Sequence, residues 1–140
     1  MRFTLIDEVL ESTPERIVAV KNVTAAEEYL GDHFPGFPVL PGVFMLEAMV
    51  QAARRLMREQ GRPRMVLGGV RALRCGNFVR PGETLRVEIS LDGDAGASEV
   101  RFRGSGNVIR PDGSTDTAVS GRFTMRDRHR EASSAERSHP

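Results

Sequence analysis

Hydrophobic and polar positions follow two different periods along the chain, and this predicts one long helix among several strands. Residues 15–23 alternate and are rich in β-branched side chains, which predicts a strand. Residues 41–60 form a candidate helix that Gly61 and Pro63 end, and from Val43 to Ala53 it is apolar on nearly every face, which predicts that it is buried. After residue 64 the alternation returns, and the candidate strands are 65–79, 84–92, 98–110 and 117–126.

Turn sequences separate the later strands, at Pro81-Gly82, at 92–96 and at Pro111-Asp112-Gly113. Strands joined by short turns pair in antiparallel fashion, and a single long helix must bury its apolar face against the sheet. The predicted fold class is therefore α+β, with an antiparallel sheet and one helix. Thr24, followed by Glu27 three residues later, also predicts a short helix before the loop at 31–42.

The size and composition favour one domain with a tail. A chain of 140 residues with 39% hydrophobic positions suits a single core, which we place at residues 1–126. Residues 127–140 are polar and charged, so we expect a disordered C-terminal tail. His129 and His139 lie in that tail and are expected to have no functional role.

Charge and cysteine content exclude some classes of function. A net charge of +1 gives no drive towards nucleic acid, and no apolar run is long enough to cross a membrane. The single cysteine, Cys75, excludes an intrachain disulfide, and no cysteine–histidine cluster of zinc type is present. We expect Cys75 to be a small buried side chain. The N-terminal segment does not resemble a signal peptide, so a cytoplasmic location is expected.

The start of the long helix can bind an oxygen atom. Pro41 fits the first helical position, and the N–H groups of Gly42 and Val43 then have no partner within the helix. Gly42 has no side chain, so an oxygen atom can approach its backbone closely. These N–H groups, at the positive end of the helix dipole, form a candidate site for an oxyanion or a thioester carbonyl.

Glu47 and Gln51 interrupt the apolar surface of this helix on one face, four residues apart. In a structural interpretation, Gln51 or Arg54 satisfies Glu47 and holds the helix in register. In a functional interpretation, Glu47 is a carboxylic acid whose burial suits it to donate a proton.

Arginines crowd the end of the helix and also permit two interpretations. Arg54, Arg55 and Arg58 can complement the negative end of the helix dipole. Together with Arg62 and Arg64, they can instead form a basic patch that receives an acidic or phosphate-bearing carrier.

His33 lies in a loop that three prolines stiffen, Pro35, Pro38 and Pro41. A loop histidine is commonly just solvated, but a rigid loop before a helix N-terminus is typical of a preorganised site. A neutral imidazole is well matched to removing a proton near pH 7.

These groups together suit the elimination of water from a β-hydroxyacyl thioester. The reaction needs a base for the α proton, an acid for the departing hydroxyl and donors for the carbonyl oxygen. His33, Glu47 and the Gly42 N–H can supply one each, and no metal or redox cofactor is required.

The segment HFPGFPVLPGVFMLEAMVQ (33–51) resembles the active-site motif of the β-hydroxyacyl-acyl-carrier-protein dehydratases. The motif runs His-Phe-Pro-Gly, Pro-Val, Pro-Gly-Val, Glu-Ala and Gln, and every part is present. Residues 21–34, 78–91 and 120–126 are also similar to the family, so the resemblance covers about residues 5–126. It implies the hot-dog fold, in which the sheet wraps around one central helix.

The resemblance implies a role for each matched residue. His33 is the catalytic base, Glu47 is the acid and Gln51 supports Glu47. The Gly42 N–H binds the thioester carbonyl. The other candidate substrate-binding residues are Phe34, Val39, Val43 and Phe44.

The resemblance also implies an assembly and a partner. In the family, the histidine and the glutamate of one site come from opposite subunits, which implies a homodimer or a trimer of dimers. The substrate is carried on acyl carrier protein. Glu47, rather than an aspartate, resembles the branch that dehydrates without isomerising the double bond.

Residues 74–78 depart from the family. An aromatic is lost at Cys75 and a proline at Phe78, and Phe37 and Phe44 stand at positions that are usually smaller or variable. The length of the acyl chain therefore stays open, as does the pathway, which can be fatty acid synthesis or a related lipid or polyketide pathway. Two alternatives are carried forward. One is a hot-dog thioesterase or an enoyl-CoA hydratase, and the other is a non-catalytic subunit that docks an acyl carrier.

Overall fold

One six-stranded antiparallel sheet packs against one long helix in the computed structural model, which describes residues 4–24 and 39–128. The strand order is β1-β2-β4-β5-β6-β3. The elements are β1 (Glu8–Ser12), β2 (Arg16–Asn22), α1 (Gly42–Glu59), β3 (Met65–Cys75), β4 (Thr84–Leu91), β5 (Glu99–Ile109) and β6 (Thr115–Asp127).

The elements predicted within the described residues are confirmed, and one further strand is found. Strand β1 has only five residues, and its pairing with β2 shifts at a bulge between Val9 and Glu11. A short strand with mostly exposed side chains leaves little alternation to detect. The short helix predicted after Thr24 lies outside the described residues.

The core forms where the inner face of the sheet meets α1. In β4, the alternating residues Leu85, Val87 and Ile89 are buried, as a strand with one covered face requires. Gly104 allows the helix to come close, because a Cβ at this position would lie 2.8 Å from Sδ of Met49. This arrangement confirms the predicted α+β class and the hot-dog architecture.

The predicted breaks are tight turns. Gly82 and Gly113 have φ values of 89° and 88°, which glycine adopts without steric cost. In the β5–β6 turn, the Ser114 hydroxyl and N–H both donate to Asp112, and these bonds lower the pKa of the Asp112 carboxyl.

The last described residues extend the pairing of β6 with the start of β3 by one hydrogen bond. β6 ends at Asp127, and the Arg128 N–H donates to the Arg64 carbonyl over 2.8 Å. Residues 129–140 lie outside the described part of the chain, so the boundary at 126/127 and the disordered tail stay predictions. Among the described residues, no helix combines the length and the apolar composition needed to cross a membrane.

Candidate active site

The start of α1 is tied to the segment between β3 and β4. The Leu40 N–H donates to the Val79 carbonyl over 2.8 Å, which ties the loop to the segment that follows β3. Pro41 is the N-cap, with φ −61° and ψ 146°, so its prediction as the first helical residue was wrong by one position. Its extended ψ leaves its carbonyl to accept from Phe44 and Met45 at 2.9 and 3.2 Å.

The first two N–H groups of α1 are free to bind a ligand. Within residues 4–24 and 39–128, no acceptor bonds the N–H of Gly42 or Val43, and no side chain caps the helix. A Cβ on Gly42 would lie 2.9 Å from Sγ of Cys75. Gly42 therefore gives both access to the backbone and room for Cys75.

Cys75 is exposed, so the prediction that it is buried was wrong. It is the last residue of β3, an edge strand in which every residue from Gly68 to Cys75 is exposed. A side chain at a sheet edge stays accessible even when it contacts a buried element.

Gln51 links Glu47 to the N-terminal segment. The Gln51 Nε2 donates to Glu47 Oε1 over 3.4 Å, and its Oε1 accepts from the Leu5 N–H over 2.8 Å. The backbone bond fixes which end of the amide faces Glu47, because only the NH₂ group then remains to donate. Of the two predicted partners of Glu47, the structure places Gln51 beside it.

Glu47 is half-buried in the single chain. It follows Val43 by four residues and precedes Gln51 by four, so the three share one face of the helix. Val43 is 65% exposed, which makes this face of α1 the accessible one. The carboxylate therefore lies on an open helix face, about one turn from the free N–H groups.

The other candidate residues are distributed around this helix terminus. Val39 is buried at 2% exposure, and Phe44 is half-buried and packs against the core. His33 and Phe34 lie outside the described residues, so their predicted places in the site stay predictions.

Two of the arginines in and after α1 bond backbone carbonyls elsewhere in the chain. The Arg54 Nε donates to the Met65 carbonyl, and Arg62 donates to the carbonyls of Ala95 and Ala97. Arg58 lies in the last turn of an 18-residue helix, about 25 Å from Gly42. These contacts give Arg54 and Arg62 structural roles, and the basic patch that would receive a carrier stays a prediction.

Three contributors to the site could not be found from sequence. The Leu5 N–H, the Cys75 thiol and the Val79 carbonyl are all far from the helix along the chain, and the sheet brings them to it. The only signal in the sequence is at Cys75, which stands where the family carries an aromatic side chain. Among the described residues, no group of three or more His, Cys, Asp or Glu side chains could hold a metal ion.

Solved structures share this fold. The dehydratase heterocomplex ApeI:P from Xenorhabdus doucetiae aligns with a TM-score of 0.66 at 18% identity, over 89% of this chain and 98% of that one. The 4-hydroxybenzoyl-CoA thioesterase of Pseudomonas sp. strain CBS-3 aligns with a TM-score of 0.64 at 11% identity, over 81% and 84%. At such identities the likeness extends to the fold alone.

Sequence relatives are more specific. A Bacillus cereus (strain AH820) protein named 3-hydroxyacyl-[acyl-carrier-protein] dehydratase FabZ is 41% identical over 99 residues, covering 68% of this chain and 69% of its own length. The protein of the same name from Thermus thermophilus is 48% identical over 93 residues, covering 64% and 66%. Residues 1–108 match the FabA-like domain. With more than half of its length matched, the chain belongs to the FabA-like family.

Proposed function

We propose that this protein is a (3R)-hydroxyacyl-[acyl-carrier-protein] dehydratase, which removes water from β-hydroxyacyl thioesters to give trans-2-enoyl thioesters. One observation carries the proposal beyond family membership. Glu47 lies on an open helix face about one turn beyond two backbone N–H groups that bond no acceptor in the described part of the chain, with Gln51 holding it. An acid and a carbonyl-binding site at this separation suit a substrate that carries its hydroxyl on the β carbon, the second carbon from the thioester carbonyl.

The reaction balances with the groups named. His33 takes the proton from the carbon next to the thioester carbonyl, and the electron pair moves towards the carbonyl oxygen. The Gly42 N–H stabilises that oxygen, together with the positive end of the helix dipole. The pair then forms the new double bond, the β-carbon–oxygen bond breaks, and Glu47 protonates the departing hydroxyl as water.

Gln51 is a positioning residue in this scheme. It touches no reacting atom, but it keeps one Glu47 oxygen engaged and leaves the other for the substrate hydroxyl. Its own orientation depends on the Leu5 N–H, so the N-terminal segment supports the acid.

The acyl group requires an apolar path away from Gly42. We assign Val39 and Phe44 to this path because Val39 lies just before α1, Phe44 lies in its first turn, and both pack into or against the core. Phe34 is assigned to it from the motif, and Val43 lies at the entrance, beside the free N–H groups.

A homodimer completes the site in this proposal. β3 is an edge strand of 11 residues with an exposed outer side, and Val70 and Leu73 on it are 39% and 38% exposed. Two further apolar side chains are exposed, Phe78 after β3 and Val43 in the first turn of α1. A long, exposed edge strand invites pairing with a second chain, whereas β1, at the other edge, is short and carries two glutamates.

Pairing through β3 would cover this apolar surface and bring a second subunit to the open face of α1. The assembly is then a homodimer, in which the His33 of one chain works with the Glu47 of the other. A trimer of dimers is the larger form of the same assembly. Acyl carrier protein delivers the thioester, and we place the enzyme in the cytoplasm.

The decisive assay follows formation of the conjugated enoyl product from a β-hydroxyacyl thioester on carrier protein. We expect Glu47→Gln and His33→Ala each to lose at least about 100-fold in kcat, because each removes one proton-transfer group. Glu59→Gln, on the same helix, and His129→Ala are the matched controls and should keep wild-type rates.

Each alternative function has its own outcome in this assay. Thiol release without enoyl product would identify a thioesterase instead. Tight carrier binding without turnover would identify a docking subunit. Wild-type rates in either the Glu47 or the His33 variant would overturn the mechanism.

A further inference from the structure

An open groove lies on the outer face of the sheet, away from α1, with a volume of about 490 Å³. The direction of Gly104 shows which face this is. A Cβ on Gly104 would point at Met49 of the helix, so Gly104 faces the inner side of the sheet. Its neighbours Arg103 and Ser105 therefore point to the opposite side. The residues that define what we name the arginine groove are Arg74, Arg103, Arg122, Ser90, Ser105 and Ser120.

Arginines meet across three neighbouring strands at this groove. Arg103 on β5 pairs with Arg122 on β6, and Arg122 pairs in turn with Arg71 on β3, which adjoins the groove without lining it. In the next row, Ser105 pairs with Ser120, and Ser120 with Arg74. Like charges directly opposite each other destabilise a sheet, so folding alone does not favour this row.

The acidic groups near the groove leave much of this charge uncompensated. Glu88 lines one end, but it is ion-paired with Arg16. Asp92 lies 3.7 Å from Arg103 in a largely exposed pair, and such pairs hold their partners weakly. Of the arginines that line the groove, Arg74 and Arg122 have no carboxylate partner within the described residues.

We propose that the arginine groove binds a soluble small molecule that carries two adjacent phosphate groups. One guanidinium group can donate two parallel hydrogen bonds to the oxygens of one phosphate, and serine hydroxyls beside it supply further donors. Neighbouring strands lie about 4.8 Å apart, so arginines on adjacent strands can each engage one of two linked phosphates. The volume lies in the range of small-molecule sites, about 300–1,000 Å³.

The site is separate from the proposed dehydratase centre. It faces away from α1, which carries Glu47, and it involves none of the residues assigned to the reaction. Binding and turnover can therefore be measured independently, and either proposal can fail alone.

Calorimetric titration at low salt, with inorganic pyrophosphate and with ADP, tests the inference, and adenosine is the phosphate-free control. We expect both phosphate probes to bind one site per chain, and adenosine not to bind. Arg103→Gln/Arg122→Gln should weaken binding about tenfold or more, because two charge-assisted hydrogen bonds are lost. Arg58→Gln removes an exposed arginine at the end of α1 and should bind as the wild type does.

Two further measurements keep the result decisive. Arg122→Gln alone should have an unchanged or higher Tm without ligand, because it relieves repulsion, and should still weaken binding. The double variant should keep dehydratase activity. Failure of both probes to bind, or equal weakening in Arg58→Gln, would overturn the proposal, as would capture by phosphatidylglycerol vesicles without pyrophosphate binding.

Discussion

Gly42 and Cys75 show how tightly the start of the helix is constrained. The Gly42 backbone is the proposed carbonyl-binding group, and the Cys75 thiol occupies the space where a larger residue at position 42 would place its side chain. The resemblance to the dehydratase motif leads one to expect an aromatic at position 75, so this chain combines the same glycine with a smaller neighbour. The size of the side chain at position 75 therefore limits the size of the side chain that position 42 can accept.

Gly42→Ala should lower kcat/KM several-fold, because the new Cβ would meet Sγ of Cys75 at 2.9 Å and displace the helix start. The strain should amount to about 1 kcal/mol. Gly42→Ala/Cys75→Ala should recover activity, because the next atom, Cβ of Cys75, is at an ordinary 3.7 Å. Steady-state kinetics of the two single variants and the double variant provide the check. No recovery in the double variant would mean that the methyl group blocks the substrate itself.

At the scale of single elements, glycines in β5 allow α1 to pack close to the sheet. Gly104 and Gly106 face the helix side, where side chains from the helix and the neighbouring strands fill the space that a Cβ would need. Glu47 and Gln51 lie on the same helix as Met49, so the packing of α1 against these glycines and the geometry of the site are linked.

Gly104→Ala should destabilise the protein by about 1–3 kcal/mol, because its Cβ would lie 2.8 Å from Sδ of Met49 and 2.9 Å from Cδ1 of Ile89. Gly69→Ala is the matched control, since the nearest atom to its Cβ is Oγ1 of Thr124 at 3.8 Å. Urea unfolding of both variants measures the difference. Equal midpoints for the two variants would show that the core around Met49 can rearrange without cost.

At the scale of the whole molecule, one chain leaves open the face of α1 that carries the proposed acid, Glu47. Glu47 is only half-buried, and the apolar residues near it, above all Val43, are exposed. The edge strand β3 offers the surface through which a second chain would cover them. Catalysis and assembly are therefore coupled in the proposed function.

Heterodimers with a different tag on each chain test this coupling. A dimer of one His33→Ala chain and one Glu47→Gln chain should have about half the wild-type activity, because one of its two sites keeps both residues. The matched control pairs a His33→Ala/Glu47→Gln chain with a wild-type chain, and it should be inactive because each site then lacks one group. The reverse pattern would place both residues of a site in the same chain.

Much of the fold could be predicted from sequence because its elements are marked locally. Alternation marks β2 and β3 to β6, and apolar positions on all faces mark α1. Strand β1 escaped detection because five mostly exposed residues carry little periodicity. The cap position of Pro41 was wrong by one residue because proline's fixed φ suits both positions, and only ψ separates them.

The sequence by itself determined the fold class, the family and the identity of the candidate acid and base, because periodicity, turn residues and a contiguous motif are all local properties. Only the tertiary structure decided what surrounds them. The Leu5 N–H meets Gln51 across 46 residues, and Cys75 meets Gly42 across the sheet edge. The arginine row forms because antiparallel register aligns three strands, and no spacing along the chain encodes that alignment.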